Sequence, residues 1–178
     1  MRTPMLSMYL KSPMTQASVA SSPSPLPPKK RTRRIEVRAS VIHGTGVFAA
    51  APFAKGKRVI EYTGEVITWT EALRRHPHDP ENPDHTFYFH VDDTHVIDGK
   101  HRGNAAKWIN HGCQANCEAE EVGGRIFVRA LRDIAPGEEL NYDYGLVLEG
   151  RHTPKVKKQF ACRCGAEKCR GTMLAPKR

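Results

Sequence analysis

Three thiols crowd one short stretch of the chain, Cys162-x-Cys164-x4-Cys169. A structural zinc ion takes four tetrahedral ligands, and thiolates suit it well. The short loop supplies three of them, so the fourth must come from elsewhere. Cys113 and Cys117 are the only other cysteines, and His152 is a further donor. Spacing alone does not choose between the two cysteines, and His152 ranks below them. A metal here would pin a C-terminal stretch too short and polar to fold by itself. The chain opens without the apolar core of a secretory leader, so the cluster points to metal rather than disulfides and to a reducing, intracellular compartment.

Two other groups could hold a ligand. His43-Gly44-Thr45-Gly46 precedes a strand rather than a helix, and its glycines let backbone approach a bound molecule closely. Asn110-His111 directly follows the apolar pair Trp108-Ile109. If buried, these side chains must find partners, either in a plain turn or in the polar groups of an adenosine or amino-acid moiety. Tyr62, Tyr88, Tyr142 and Tyr144 lie in or beside predicted strands. Tyr142 and Tyr144 are two apart and would face one side of an extended chain.

The elements that must position these residues are mostly short strands. Residues 35–37, 46–49, 59–67, 125–130 and 139–142 read as strands, and residues 87–91 and 95–97 as a hairpin across Asp92-Asp93. Residues 70–75 read as a short capped helix ended by Pro77, residues 76–85 as a loop, and residues 104–109 as a helical turn. The fold class is therefore mostly β, with small sheets and few short helices. No βαβ array is present, which argues against a Rossmann-type architecture.

The net charge of +9 is unevenly spread. Residues 1–34 carry seven Lys or Arg and no acid, whereas the remainder carries 21 bases against 19 acids. Residues 21–28 are rich in Ser and Pro, and residues 29–34 are almost all basic. This composition predicts a disordered tail that could serve as a nuclear localisation signal or a weak nucleic-acid contact. The near-neutral remainder argues against a nucleic-acid-binding domain. No stretch reaches the roughly 18 to 20 apolar residues that cross a bilayer, so no membrane contact is expected.

Together the motifs resemble the SET-domain protein-lysine methyltransferases with a zinc-binding post-SET tail, including their compact bacterial forms. His43-Gly44-Thr45-Gly46-Val47-Phe48 is similar to the family's first cofactor loop, and Glu61-Tyr62-Thr63-Gly64-Glu65 to its Tyr-x-Gly-Glu strand. Asn110-His111-Gly112-Cys113 is similar to its Asn-His-Ser-Cys motif, with Gly112 in place of Ser. Glu139-Leu140-Asn141-Tyr142-Asp143-Tyr144 resembles its closing motif, and the three clustered cysteines its post-SET pattern. The resemblance implies a β-clip fold of small sheets with a C-terminal pseudoknot. Its parts would be a tail over 1–34, a SET domain over 35–148 and a post-SET zinc segment over 149–178.

The resemblance also implies roles. The reaction would be methyl transfer from S-adenosylmethionine to a protein lysine, with mono- or dimethylation dominant. Tyr144 would border the reacting centre, Tyr62 would line the lysine channel and Tyr142 would set the number of methyl groups added. Gly44, Thr45, Gly46, Tyr88, Asn110, His111 and Leu174 would contact the cofactor. Cys113 would join Cys162, Cys164 and Cys169 around one structural zinc. The partner would be a basic, lysine-containing protein such as a histone, met by acidic residues among Asp79, Glu81, Asp84, Asp92, Asp93 and Asp98. The setting would be the nucleus or chromosome for a eukaryotic or effector protein, and the cytoplasm for a bacterial one. The alternative is a non-catalytic zinc-stabilised module of the same fold that binds basic peptides.

Overall fold

A computed structural model describes residues 33–76, 87–148 and 150–176. The expected tail, save its last two residues, and the loop with Asp79, Glu81 and Asp84 lie outside them. Among the described residues ten strands form three small sheets. The first is built from β1 (Ile35–Ala39), β2 (Thr45–Ala49), β10 (Glu139–Tyr142) and β7 (Asn110–His111), in that order. The second has β9 (Arg125–Ala130) between β3 (Arg58–Tyr62) and β8 (Cys117–Val122). The third has β6 (His95–Asp98) between β4 (Glu65–Thr68) and β5 (Tyr88–His90). Two short helices, α1 (Trp69–Arg75) and α2 (Pro154–Gln159), and a 3-10 turn over Ala105–Trp108 complete the described elements.

The continuous run expected over residues 59–67 is in fact two strands in two sheets. The chain breaks at Gly64, where an added Cβ would run into the backbone carbonyl of Asp98. Only glycine permits that approach. Helix α1 begins one residue earlier than its sequence suggests. Its cap is Thr68, whose hydroxyl accepts from Glu71 N at 3.2 Å, satisfying one of the orphan donors of the first turn. Strand β8 is not legible in the sequence, because three of its six residues are glutamates, which strands disfavour. It is secured by Gly123-Gly124, whose φ values of 60° and 77° make the tight two-residue hairpin turn, and by Glu118 pairing with Arg129 opposite.

Between the sheets lies one core that includes Val47, Phe53, Ile109, Ile126, Ile134 and Leu140, all essentially inaccessible. Burying each such side chain contributes roughly 1.5–3 kcal/mol. Strand β2 is buried along most of its length. It therefore presents the loop preceding it, residues 40–44, in a fixed place. Strand β10 pairs antiparallel with β2 and parallel with β7, with Tyr142 opposite His111. That parallel pairing brings the Asn-His segment beside the closing tyrosines.

Asp98, one of the acids expected to meet a basic partner, is instead wholly buried. Its carboxylate accepts from Arg75 Nη1 at 3.0 Å and Lys100 N at 3.0 Å, and lies 2.9 Å from His101 Nδ1. It locks α1 onto the third sheet. Asp92 and Asp93 are exposed at the β5–β6 turn, where Asp92 accepts from Thr94 N and His95 N.

Candidate active site

Three phenols converge at the meeting of the sheets. The Tyr142 and Tyr144 rings are 5.1 Å apart, and Phe89 bridges to the third, lying 6.0 Å from Tyr142 and 5.1 Å from Tyr62. The Tyr144 hydroxyl donates to Ile109 O at 2.8 Å, and the Tyr62 hydroxyl to Phe87 O at 2.7 Å. Each proton is thereby engaged, and the remaining lone pairs are left to accept. The Tyr142 hydroxyl has no hydrogen bond among the described residues. Burial, reinforced by the neighbouring phenols, pushes Tyr62 and Tyr142 well above the ordinary tyrosine pKa. Burial and then the Glu139 charge do the same for Tyr144. All three are neutral near pH 7, so they offer polar oxygens but no phenolate base.

Tyr88 is not brought to this group. Residues of a strand alternate between its faces, and it is Phe87 and Phe89 that point to the site. Phe87 packs edge-on against Trp108 at 5.1 Å. Tyr88 turns the other way, into a separate cluster with Ile67, Ala72 and Val96, and its hydroxyl donates to Ala72 O on α1. The alternation is visible in the sequence, but its phase is not.

Beside the phenols, Asn110 pins the glycine loop. Its side-chain amide donates to Glu139 Oε1 at 2.8 Å and reaches Ser40 Oγ, His43 O and Thr45 O at 3.1–3.2 Å. Glu139 also accepts from Ser40 Oγ at 2.7 Å. Gly46 is needed because a Cβ there would strike the Glu139 carboxylate. Gly44, at φ 42°, has nothing within 4 Å of its missing Cβ, so its backbone is open to a ligand. Ser40 and Glu139 thus join the predicted set as the groups that shape the loop. His111 is buried, and its Nδ1 accepts from Tyr144 N at 3.1 Å.

Gly112 stands where the family pattern has Ser, and the structure supplies the reason. A Cβ there would lie 2.5 Å from Asn141 Oδ1 and 3.2 Å from Asn141 Cβ. Asn141 cannot easily yield, because Oδ1 accepts from Asn116 N and the backbone N of Asn141 donates to Asn116 Oδ1.

The sulfurs of Cys113, Cys162, Cys164 and Cys169 all lie within 4.8 Å of one another. Cys113 Sγ is 3.7 Å from Cys162 Sγ and 3.9 Å from Cys169 Sγ. A zinc–sulfur distance of about 2.3 Å implies tetrahedral edges of about 3.8 Å, so the donor set fits a tetrahedral ion. Backbone N–H groups of Arg170, Cys164 and Gly171 point at three of the sulfurs at 3.4 Å, which favours thiolate. The two other candidates for fourth ligand are elsewhere. Cys117 is part of the core, where burial pushes its thiol up to about 12. His152 lines a cleft of about 660 Å³. Leu174 lies on the wall of the same cleft, almost fully buried, and its backbone bridges to Leu146 just after the closing motif.

Arg170, beside the last of the clustered cysteines, belongs to the site although the sequence does not show its partner. It grips Asp143 with two bonds, of 2.6 and 2.8 Å, and so ties the metal loop to the turn between Tyr142 and Tyr144. Burial works against the Asp143 charge, but the guanidinium holds its carboxyl below the usual range.

Comparison with known proteins bears on the same residues. The chain is 36% identical over 148 residues to a Chaetomium globosum protein named histone-lysine N-methyltransferase, H3 lysine-4 specific, covering 80% of this chain and 13% of that protein. It is 39% identical over 147 residues to the Saccharomyces cerevisiae protein of the same name, with 80% and 13% covered. To histone-lysine N-methyltransferase trithorax of Drosophila melanogaster it is 38% identical over 135 residues, with 74% and 3% covered. The chain thus spans only a small fraction of the length of these curated relatives. The SET domain family matches residues 44–145, from the glycine loop to just beyond Tyr144. The chain belongs to the SET domain family.

Proposed function

We propose that the chain methylates a lysine side chain in a basic protein, with S-adenosylmethionine as methyl donor and histones as the leading substrate class. The observation that carries this reading is the convergence of Tyr62, Tyr142 and Tyr144 beside the loop that Asn110 holds. When bound, S-adenosylmethionine supplies an electrophilic methyl carbon on a sulfonium ion. The glycine loop of Gly44, Thr45 and Gly46, together with Asn110 and His111, would hold it, and Leu174 would lie against its adenine side. The SET methyltransferase relatives are named for histone lysines, which supports the substrate class and a setting on chromatin.

The chain's own residues account for the chemistry. A lysine amine must lose its proton to attack, and its free pKa is about 10.4. The desolvated surroundings of Tyr62, Phe89 and Tyr142 would favour that loss. No phenolate is available as a base, so the work of the site is alignment, worth about 7–11 kcal/mol in well-oriented systems. Tyr144, its proton committed to Ile109 O, offers lone pairs toward the developing positive charge. Tyr142 is free to hold a water or the amine, which leaves little room for added methyls and favours mono- or dimethylation. A zinc ion in the four-thiolate cluster would fix the wall carrying Leu174.

The 35–148 segment carries seventeen acids against twelve bases, a net of −5 that suits a basic substrate. Incubation with labelled cofactor and core histones, followed by mass spectrometry, tests the proposal. Labelled lysine should appear, and an absence of S-adenosylmethionine binding in isothermal titration would favour the peptide-binding module.

A further inference from the structure

The near-neutral balance of residues 35–178 conceals two opposite charges. Against the −5 of residues 35–148, residues 149–178 carry nine bases and two acids, a net of +7. Most of that charge is displayed. Arg151, Lys155, Lys157 and Lys158 are exposed on and just before α2, and none makes an ion pair with a described residue. Arg151 and Lys157 stand at the rim of the cleft that also carries Leu174, and no carboxylate lines it. Lys155 and Lys158 are three positions apart on α2, close enough to repel each other, so their placement is unfavourable unless an anion meets them.

We propose that this C-terminal face binds the phosphate backbone of duplex nucleic acid. The proposal is independent of the methyl-transfer reading and of the basic tail at residues 1–34. Its chemistry separates a nucleic acid from an acidic protein. Protein interfaces have an apolar or aromatic centre and are poor in lysine, yet none of the large exposed hydrophobic side chains of the described residues falls within 150–176. Phosphate contacts need only Lys and Arg on a polar surface. The acidic 35–148 segment would repel the same backbone, so a duplex should engage the α2 side and leave the rest of the domain facing away from it.

The test uses the full chain, loaded with zinc, and a short labelled DNA duplex of random sequence. Binding is followed by fluorescence anisotropy across a potassium chloride series. One variant carries Arg151→Ala, Lys155→Ala, Lys157→Ala and Lys158→Ala, and a second carries Gln at the same positions. Alanine is the best helix former and glutamine a good one, so α2 should persist, checked by zinc content and circular dichroism. A third variant replaces Lys29, Lys30, Arg31 and Arg33 by alanine. Affinity should fall at least tenfold in both α2 variants. The slope of log affinity against log salt should shrink by about three to four, at about 0.9 for each phosphate no longer neutralised. The tail variant should keep most of that slope. The proposal is overturned if the α2 variants bind as wild type while the tail variant does not, or if wild type shows no binding. Equal affinity for polyglutamate would overturn it in favour of an acidic protein. Salt-sensitive self-association that the α2 variants abolish, with no DNA binding, would overturn it in favour of a second copy of the chain.

Discussion

The ring of His111 stands between a cluster thiol and the backbone of Tyr144. Its Nε2 is 3.4 Å from Cys113 Sγ, and its Nδ1 accepts from Tyr144 N at 3.1 Å. Because Nδ1 accepts, the proton of the neutral ring sits on Nε2 and is directed at the sulfur. Burial favours that neutral form, lowering the imidazole pKa. Arg170 makes a parallel connection, from Cys113 Sγ through its backbone N and to Asp143 through its side chain. The four-thiol cluster and the turn bearing Tyr144 are therefore one mechanical unit.

If so, loosening the metal should loosen the phenol. His111→Ala removes both bonds and should lower zinc affinity about 10- to 100-fold, the usual effect of losing an outer-shell partner. Chelator competition on the purified chain measures it. Zinc retained as tightly as in wild type would show that the His111–Cys113 contact does not support the site.

Tyr144→Phe keeps the ring and deletes the oxygen. Turnover should drop by about 10²–10³, as when one group facing transition-state charge is removed. Stability should fall by only about 1–3 kcal/mol, because the buried Ile109 O loses its donor. A matched loss of activity and fold in thermal melts would instead mark Tyr144 as a structural residue.

Tyr142→Phe removes the one phenol of the three without a hydrogen bond among the described residues. Mass spectrometry of the product should show a shift toward more highly methylated lysine at nearly unchanged stability. An unaltered methylation distribution would remove Tyr142 from the role of limiting it.

Gly112→Ser restores the residue common in the family but meets Asn141. The fold should lose about 1–3 kcal/mol, typical of overpacking a tight site. Combining it with Asn141→Ala frees the space, and denaturant melts should show the double variant losing less than the sum of the two single losses.

Asp98 supplies a pH dependence. Burial raises its pKa, but His101, Arg75 and the Lys100 N–H together hold it below the usual aspartate value. A carboxylate with a depressed folded pKa contributes stability that is complete above its unfolded value of about 3.9 and is lost as pH falls through the folded one. Asp98→Asn should cost about 1–3 kcal/mol at neutral pH, because charge-assisted bonds in the buried site are lost while Arg75 keeps Glu65 and Glu71. It should also flatten stability below about pH 4. Acid melts that superimpose on wild type in shape would contradict this.

Residue types and spacing alone determined that this chain has a thiol cluster with metal-ligand spacing, a glycine loop before a strand, an Asn-His pair and closely spaced tyrosines on a mostly β scaffold. These are local properties, carried by residues a few positions apart, and they suffice to place the chain in its family. Tertiary structure alone decided the phase and the partners. Strand alternation says that Phe87 and Phe89 oppose Tyr88, but only packing of α1 against the third sheet says which face meets the phenols. Cys113 and Cys162 are 49 positions apart, and their meeting depends on β7 and β10 pairing in parallel, which no local pattern encodes. Asp98 reads as a surface acid until the chain folds Arg75 and His101 onto it. The opposing charges of the two segments are in the composition, yet only the fold leaves Arg151 and the α2 lysines exposed and unpaired with any described residue.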